Sequence, residues 1–134
     1  MSDTILLVDD DPEMRALLRV TLAATCAIRE ASNGRDALRL IETERPRLVI
    51  LDVNMPEMSG FEVLTAAKAV DPAVAVVMLS SEYDVAVARL ALDGGARAYM
   101  TKPFDADFLR AEIGRLLDGG TESSSSRPWR VSPV

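Results

Sequence analysis

Four stretches of the chain end in residues that could do chemistry. Asp9 and Asp10 close "LLVDD", Asp52 closes "LVILD", Ser80 closes "VVMLS" and Lys102 follows "AYMT". Brought together, the three carboxylates would repel strongly unless a cation or proton stood between them. A hard divalent ion with oxygen ligands relieves that repulsion. Magnesium, or manganese in its place, suits a few carboxylates completed by water and phosphate oxygens. Lys102 adds a fixed positive charge, and Ser80 a hydroxyl that can donate to an anionic oxygen. A nucleophile, a metal and donors are the parts of a phosphoryl-transfer site. A carboxylate can itself be the nucleophile, giving an acyl phosphate.

Taken singly, each residue has a plainer role. Asp52 can begin a turn toward Pro56, Ser80 and Ser81 can form a turn, and Lys102 can be a solvated lysine. Asp11 before Pro12 reads as a helix cap and not as a ligand. The functional reading rests on four such groups falling at four strand ends.

Composition narrows the chemistry further. The chain has 134 residues, the size of one domain with one core, with 49% apolar and 27% charged residues as in ordinary globular proteins. It has no histidine, so histidine catalysis is excluded and a histidine zinc site with it. A net charge of −6 argues against a nucleic-acid surface. No apolar run approaches the roughly 20 residues that span a bilayer, and no basic region precedes "TILLV", so the expected location is the cytoplasm, without membrane contact. The single cysteine, Cys26, forms no internal disulfide and reads as small apolar filler. Only two lysines, Lys68 and Lys102, stand against thirteen arginines, which marks both as places where a compact ammonium is wanted.

The elements that must position these groups alternate in type. Five β-like runs, "TILLVD", "AIREAS", "RLVILDV", "AVAVVMLS" and "ARAYMT", are separated by segments of helical period, the pattern of βαβ units around a parallel sheet. "ILLV", "LVIL" and "VAVVML" are apolar without alternation, as in central strands covered on both faces, whereas "AIREAS" is polar enough for an edge. Helices are expected after Asp11-Pro12, with Met14, Leu17, Leu18 and Leu22 in step, and from Asn33 to Pro46. Others are expected from Ser59-Gly60 to Asp71-Pro72, from about Tyr83 to Leu92 before Gly94-Gly95, and over about Asp105 to Leu117. The expected fold is α/β: a doubly wound, five-stranded parallel sheet in the order 2-1-3-4-5, flavodoxin-like, between helical layers. In such sheets ligands bind beyond the carboxyl ends of the strands, which gathers the four groups at one edge. From Gly119 the composition shifts to "GGTESSSSRPWRVSPV", read as a flexible tail or linker over 119–134 that contains the lone Trp129; the domain is placed at 1–118.

The stretches "LLVDDDPEMR", "VILDVNMPEMSGFEVL", "VVMLSSE" and "AYMTKPF" resemble, in order and spacing, a receiver domain of two-component response regulators. The resemblance runs from about Thr4 to Leu117 and is similar in extent to the stand-alone chemotaxis type. It implies that Asp52 accepts the phosphoryl group and that Asp9, Asp10, Asp52 and the backbone carbonyl of Asn54 hold the metal. Ser80 and Lys102 would bind the phosphoryl oxygens, and the Lys102–Pro103 bond would be cis. Ser80 and Tyr99 would form a switch: phosphorylation draws in the Ser80 hydroxyl and lets Tyr99 turn inward, remodelling the face of the fourth helix, fifth strand and fifth helix. Asn54 and Glu82 flank the path of a hydrolytic water and would tune a self-catalysed dephosphorylation.

The implied donor is a histidine kinase or phosphotransfer protein, and the implied output is an unidentified partner on the switch face. Oligomeric state stays open between a monomer and a phosphorylation-dependent dimer. The chain is then a regulator that turns over no metabolite. A small phosphatase with an aspartyl nucleophile typically wants a second acid two residues after the first, where Asn54 stands. A flavin or nucleotide carrier wants a glycine-rich loop after the first strand, where "VDDDPEM" offers acids. The chain can also be one module of a longer regulator or hybrid kinase, with "TESSSSRP" as linker.

Overall fold

The computed structural model describes residues 4–23, 26–82 and 84–118. Five strands, β1 (Thr4–Val8), β2 (Ala27–Ala31), β3 (Leu48–Asp52), β4 (Ala75–Ser80) and β5 (Ala98–Thr101), alternate with five helices. These are α1 (Pro12–Leu22), α2 (Gly34–Glu44), α3 (Gly60–Val70), α4 (Val85–Asp93) and α5 (Ala106–Leu117). The sheet is wholly parallel in the order β2-β1-β3-β4-β5, the order expected from the sequence. The polar strand β2 lies at an edge, and the apolar strands β1, β3 and β4 lie inside.

Alternate strand residues feed two cores. Leu6, Val8, Val49, Leu51, Val76, Met78 and Tyr99 pack with Ala37 and Ile41 of α2, Val63, Leu64 and Ala67 of α3, and Ala88 and Ala91 of α4. Ile5, Leu7, Leu48, Ile50, Val77 and Leu79 pack on the other face with Leu18 and Leu22 of α1 and Leu109, Ile113 and Leu116 of α5. Burial on both faces is why these strands need no polar alternation.

Local chemistry sets the helix ends. Asp11 accepts from the Glu13 N–H ahead of Pro12, and Asn33 from the Asp36 N–H. Ser59 and Glu62 form a reciprocal capping box. Asp105 caps α5 and so lies just outside it. Several expectations shift. Helix α4 is capped by Asp84 and runs one residue past Leu92; the Tyr83 start lies outside the described residues, as does the 119–134 tail. Gly95, with φ of 109°, takes the left-handed position after α4, while Gly94 stays right-handed. Leu17, in step with the α1 core residues, is 51% exposed because the buried stripe of α1 is narrow, centred on Leu18 and Leu22. Lys68 bonds the carbonyls of Pro72 and Val74 at 2.9 and 2.8 Å, tying α3 to the turn before β4. Its compact ammonium therefore has a structural use. Burial and the charge of Arg97 lower its pKa, with Asp71 opposing. Among the described residues, no helix is long and apolar enough to cross a membrane.

Candidate functional site

The parallel register delivers the strand-end residues to one edge of the sheet. One oxygen from each of Asp9, Asp10 and Asp52 lies within 4.8 Å of the others. Asp9 and Asp52 are only 1% and 4% exposed, whereas Asp10 is exposed. Lys102 reaches across from the end of β5, with its Nζ 3.0 Å from Asp9 Oδ2 and 3.3 Å from Asp52 Oδ1.

Asp9 is held on every side. Its N–H donates to the Ala31 carbonyl, its Oδ1 accepts from the Asp11 N–H at 2.9 Å and its Oδ2 from Lys102. Its carbonyl accepts from Arg15 Nη1 at 2.6 Å, and Arg15 Nε donates to Glu30 of β2 at 3.1 Å. The Asp10 carboxylate has no hydrogen bond or ion pair among the described residues. Arg15 is the contact that residue type did not reveal, since a helical arginine reads as a solvated charge. The available signal was positional: one turn into α1, it faces back over the loop between β1 and α1.

Asp52 combines a turn with a charge problem. Its Oδ1 accepts from the Asn54 N–H at 3.3 Å, so the plainer turn-forming role is present too. That bond leaves the neighbouring Asp9 charge unexplained. Burial, then the Asp9 charge, push the Asp52 carboxyl up from 3.8 to about 6, against the opposing pull of Lys102 and the Asn54 N–H. For Lys102, burial acts to lower the pKa, but the hydrogen bond to Asp9 and the charges of Asp52 and Asp9 outweigh it and hold the ammonium above the ordinary lysine value. A closely spaced acid set with one carboxyl resisting ionisation is the environment a cation would relieve, and oxygen donors of this kind fit magnesium.

The loop after β3 is pinned close to the site. Gly60 N–H donates to the Val53 carbonyl at 2.9 Å. A Cβ on Gly60 would stand 2.4 Å from the Asp52 carbonyl oxygen, so only glycine permits this approach. Asn54 is exposed at the start of the loop, and the Lys102–Pro103 peptide is cis.

Ser80 is buried, its Oγ accepting from the Glu82 N–H at 3.1 Å and its carbonyl accepting from the Lys102 N–H at 2.7 Å. Tyr99 is fully buried, and its hydroxyl donates to the Glu82 carbonyl at 2.8 Å. The inward position that the sequence reading reserved for the phosphorylated state is thus the one this structure has. Burial raises the Tyr99 phenol, the Ser80 hydroxyl opposes that, and the charges of Asp84 and Glu82 add to it. Glu82, exposed, therefore meets both Ser80 and Tyr99 through its backbone.

Over residues 5–114 the sequence matches the family described as the response regulator receiver domain. Transcriptional regulatory protein PrrA of Mycobacterium tuberculosis is 37% identical over 136 residues, which cover 99% of this chain and 58% of PrrA. Sporulation initiation phosphotransferase F of Bacillus subtilis is 33% identical over 118 residues, 87% of this chain and 95% of that protein. Chemotaxis protein CheY4 of Vibrio cholerae has a solved structure with a TM-score of 0.80 at 30% identity, covering 86% of this chain and 98% of that one. The chain thus spans well under two thirds of PrrA and nearly all of the two shorter proteins.

Proposed function

Because the chain belongs to the response regulator receiver family, we propose that it is a phosphorylation-activated switch that takes a phosphoryl group on Asp52 from a histidine kinase or phosphotransfer protein. The observation that carries this reading is the meeting of Asp9, Asp10 and Asp52 oxygens within 4.8 Å, with Lys102 3.3 Å from Asp52. Asp9, Asp10, Asp52 and the Asn54 carbonyl would hold magnesium or manganese, which when bound supplies positive charge to offset that on the transferring oxygens.

An Asp52 carboxylate oxygen attacks phosphorus in line. The new O–P bond forms as the P–N bond to the donor imidazole breaks, and the released imidazole takes its proton from solvent. Lys102 provides a fixed ammonium for the phosphoryl oxygens. The Ser80 hydroxyl, which now accepts from Glu82, turns to donate to one of them. Release of the Glu82 N–H frees Glu82 to shift, and Tyr99, bonded to its carbonyl, registers the change. The face of α4, β5 and α5 then differs between the two populations and is read by a partner. Hydrolysis reverses the modification: water attacks phosphorus along a path flanked by Asn54 and Glu82, restoring the Asp52 carboxylate and releasing inorganic phosphate. The protein works in the cytoplasm and turns over no metabolite.

A second reading, in which the chain is one module of a longer regulator, is favoured by the 58% coverage of PrrA. It leaves the chemistry of Asp52 unchanged. Incubation with magnesium and a small acyl phosphate, followed by intact-mass measurement, tests the function. One phosphoryl mass should appear on the wild type and be missing from Asp52→Asn. Equal labelling of the two, or none on the wild type, contradicts it.

A further inference from the structure

The peptide unit between Asp9 and Asp10 joins two of the acids assigned to the metal, and its carbonyl is gripped by Arg15 Nη1 at 2.6 Å. Arg15 is in turn anchored, Nε to Glu30 Oε1 at 3.1 Å, and the other Glu30 oxygen takes Arg19 at 2.6 Å. The Arg15 side chain is 18% exposed and that of Glu30 27%, so the pair is partly shielded from water. Glu30 lies in register with Leu7, two residues before Asp9, and β2 therefore holds the arginine alongside the loop it grips.

The geometry points to Arg15 as a positioning residue for the metal site, aiming the Asp10 carboxylate by fixing the Asp9–Asp10 peptide plane, with Glu30 acting through it. This rests on the proposed function, in which these acids hold magnesium. Asp9 has three other anchors. Asp10 has none among the described residues beyond the direction of its own backbone. A charged donor on a carbonyl is a strong restraint, and outer partners of metal ligands commonly set affinity about tenfold or more.

Charge and geometry predict opposite signs, which makes the inference testable. Loss of the guanidinium charge alone would tighten cation binding, whereas loss of the restraint on Asp10 weakens it. Calorimetric titration of the full chain with magnesium chloride, well below the unfolding temperature, separates them. The expected dissociation constants rise about tenfold for Arg15→Met and for Glu30→Gln. The double variant should be no weaker than Arg15→Met, because one residue acts through the other. Arg15→Lys should recover part of the loss, since one ammonium can reach the carbonyl but lacks the fork that also holds Glu30. A constant within about twofold of the wild type for both single variants, or tighter binding, overturns the inference, whatever happens to the metal-free melting temperature. Absence of magnesium binding by the wild type would overturn the proposed function itself, and this inference with it.

Discussion

Lys102 Nζ lies 3.0 Å from Asp9 Oδ2, nearer than its 3.3 Å to Asp52. The ammonium therefore bridges an acid assigned to the metal and the acid assigned to the phosphoryl group, and balances charge that the metal would otherwise have to offset. Lys102→Met should bind magnesium several-fold more tightly, by removing a competing cation, yet take up phosphoryl about a hundredfold more slowly, by losing a donor to the transferring oxygens. Calorimetry and the rate of labelling by a small acyl phosphate measure the two effects separately. Both changing in the same direction would contradict this division.

Burial and the Asp9 charge push the Asp52 carboxyl up from 3.8 to about 6. The folded chain thus holds a proton there more tightly than the unfolded chain. Without magnesium, Asp52 must cost stability as pH rises from about 4 through about 6. Asp52→Asn removes that cost, so in metal-free buffer the variant should exceed the wild type by about 1–3 kcal/mol at pH 7 and by little at pH 4. Urea unfolding at both values checks it. Magnesium competes with the same proton, so its affinity for the wild type should fall as pH drops below about 6.

At Gly60 the obstruction is backbone and not a flexible side chain: an added Cβ meets the Asp52 carbonyl oxygen at 2.4 Å and Val53 Cα at 2.8 Å. Gly60→Ala should destabilise the fold by about 2–3 kcal/mol and lower phosphoryl uptake in the fraction that remains folded, because α3 must move away from the end of β3 that carries Asp52. Denaturant unfolding with parallel labelling measures both.

Tyr99→Phe keeps the buried ring and removes the bond to the Glu82 carbonyl. It should cost about 1 kcal/mol and leave the labelling rate of Asp52 unchanged, while the amide chemical shifts of 81–90 respond less to phosphorylation than in the wild type. An unaltered response in that segment would remove Tyr99 from the switch.

How much of this was readable in advance depends on where the information lies. Side-chain pattern separates interior from edge strands, since unbroken apolar runs mark β1, β3 and β4 and Arg29 and Glu30 mark β2 as an edge, while the order itself is one that doubly wound sheets commonly take. The acid cluster and Lys102 were equally legible, because residue type at a strand end together with the parallel topology fixes their meeting. Contacts to backbone atoms leave no such trace. Arg15 on the Asp9 carbonyl, Tyr99 on the Glu82 carbonyl and Gly60 against the Asp52 carbonyl each depend on a main-chain group that every residue carries. The exposure of Leu17 was hidden because helical period gives the direction of a face but not its width.

The claim on which the rest depends is that Asp52 itself carries the phosphoryl group. An aspartyl phosphate is reduced by borohydride to homoserine, whereas phosphoserine and phosphothreonine are not, so reduction of the labelled protein followed by peptide sequencing by mass spectrometry locates the bond. Homoserine at position 52, dependent on magnesium and on the phosphodonor, is the predicted result. Homoserine at Asp9 or Asp10, or label that survives reduction on Ser80, would contradict the account.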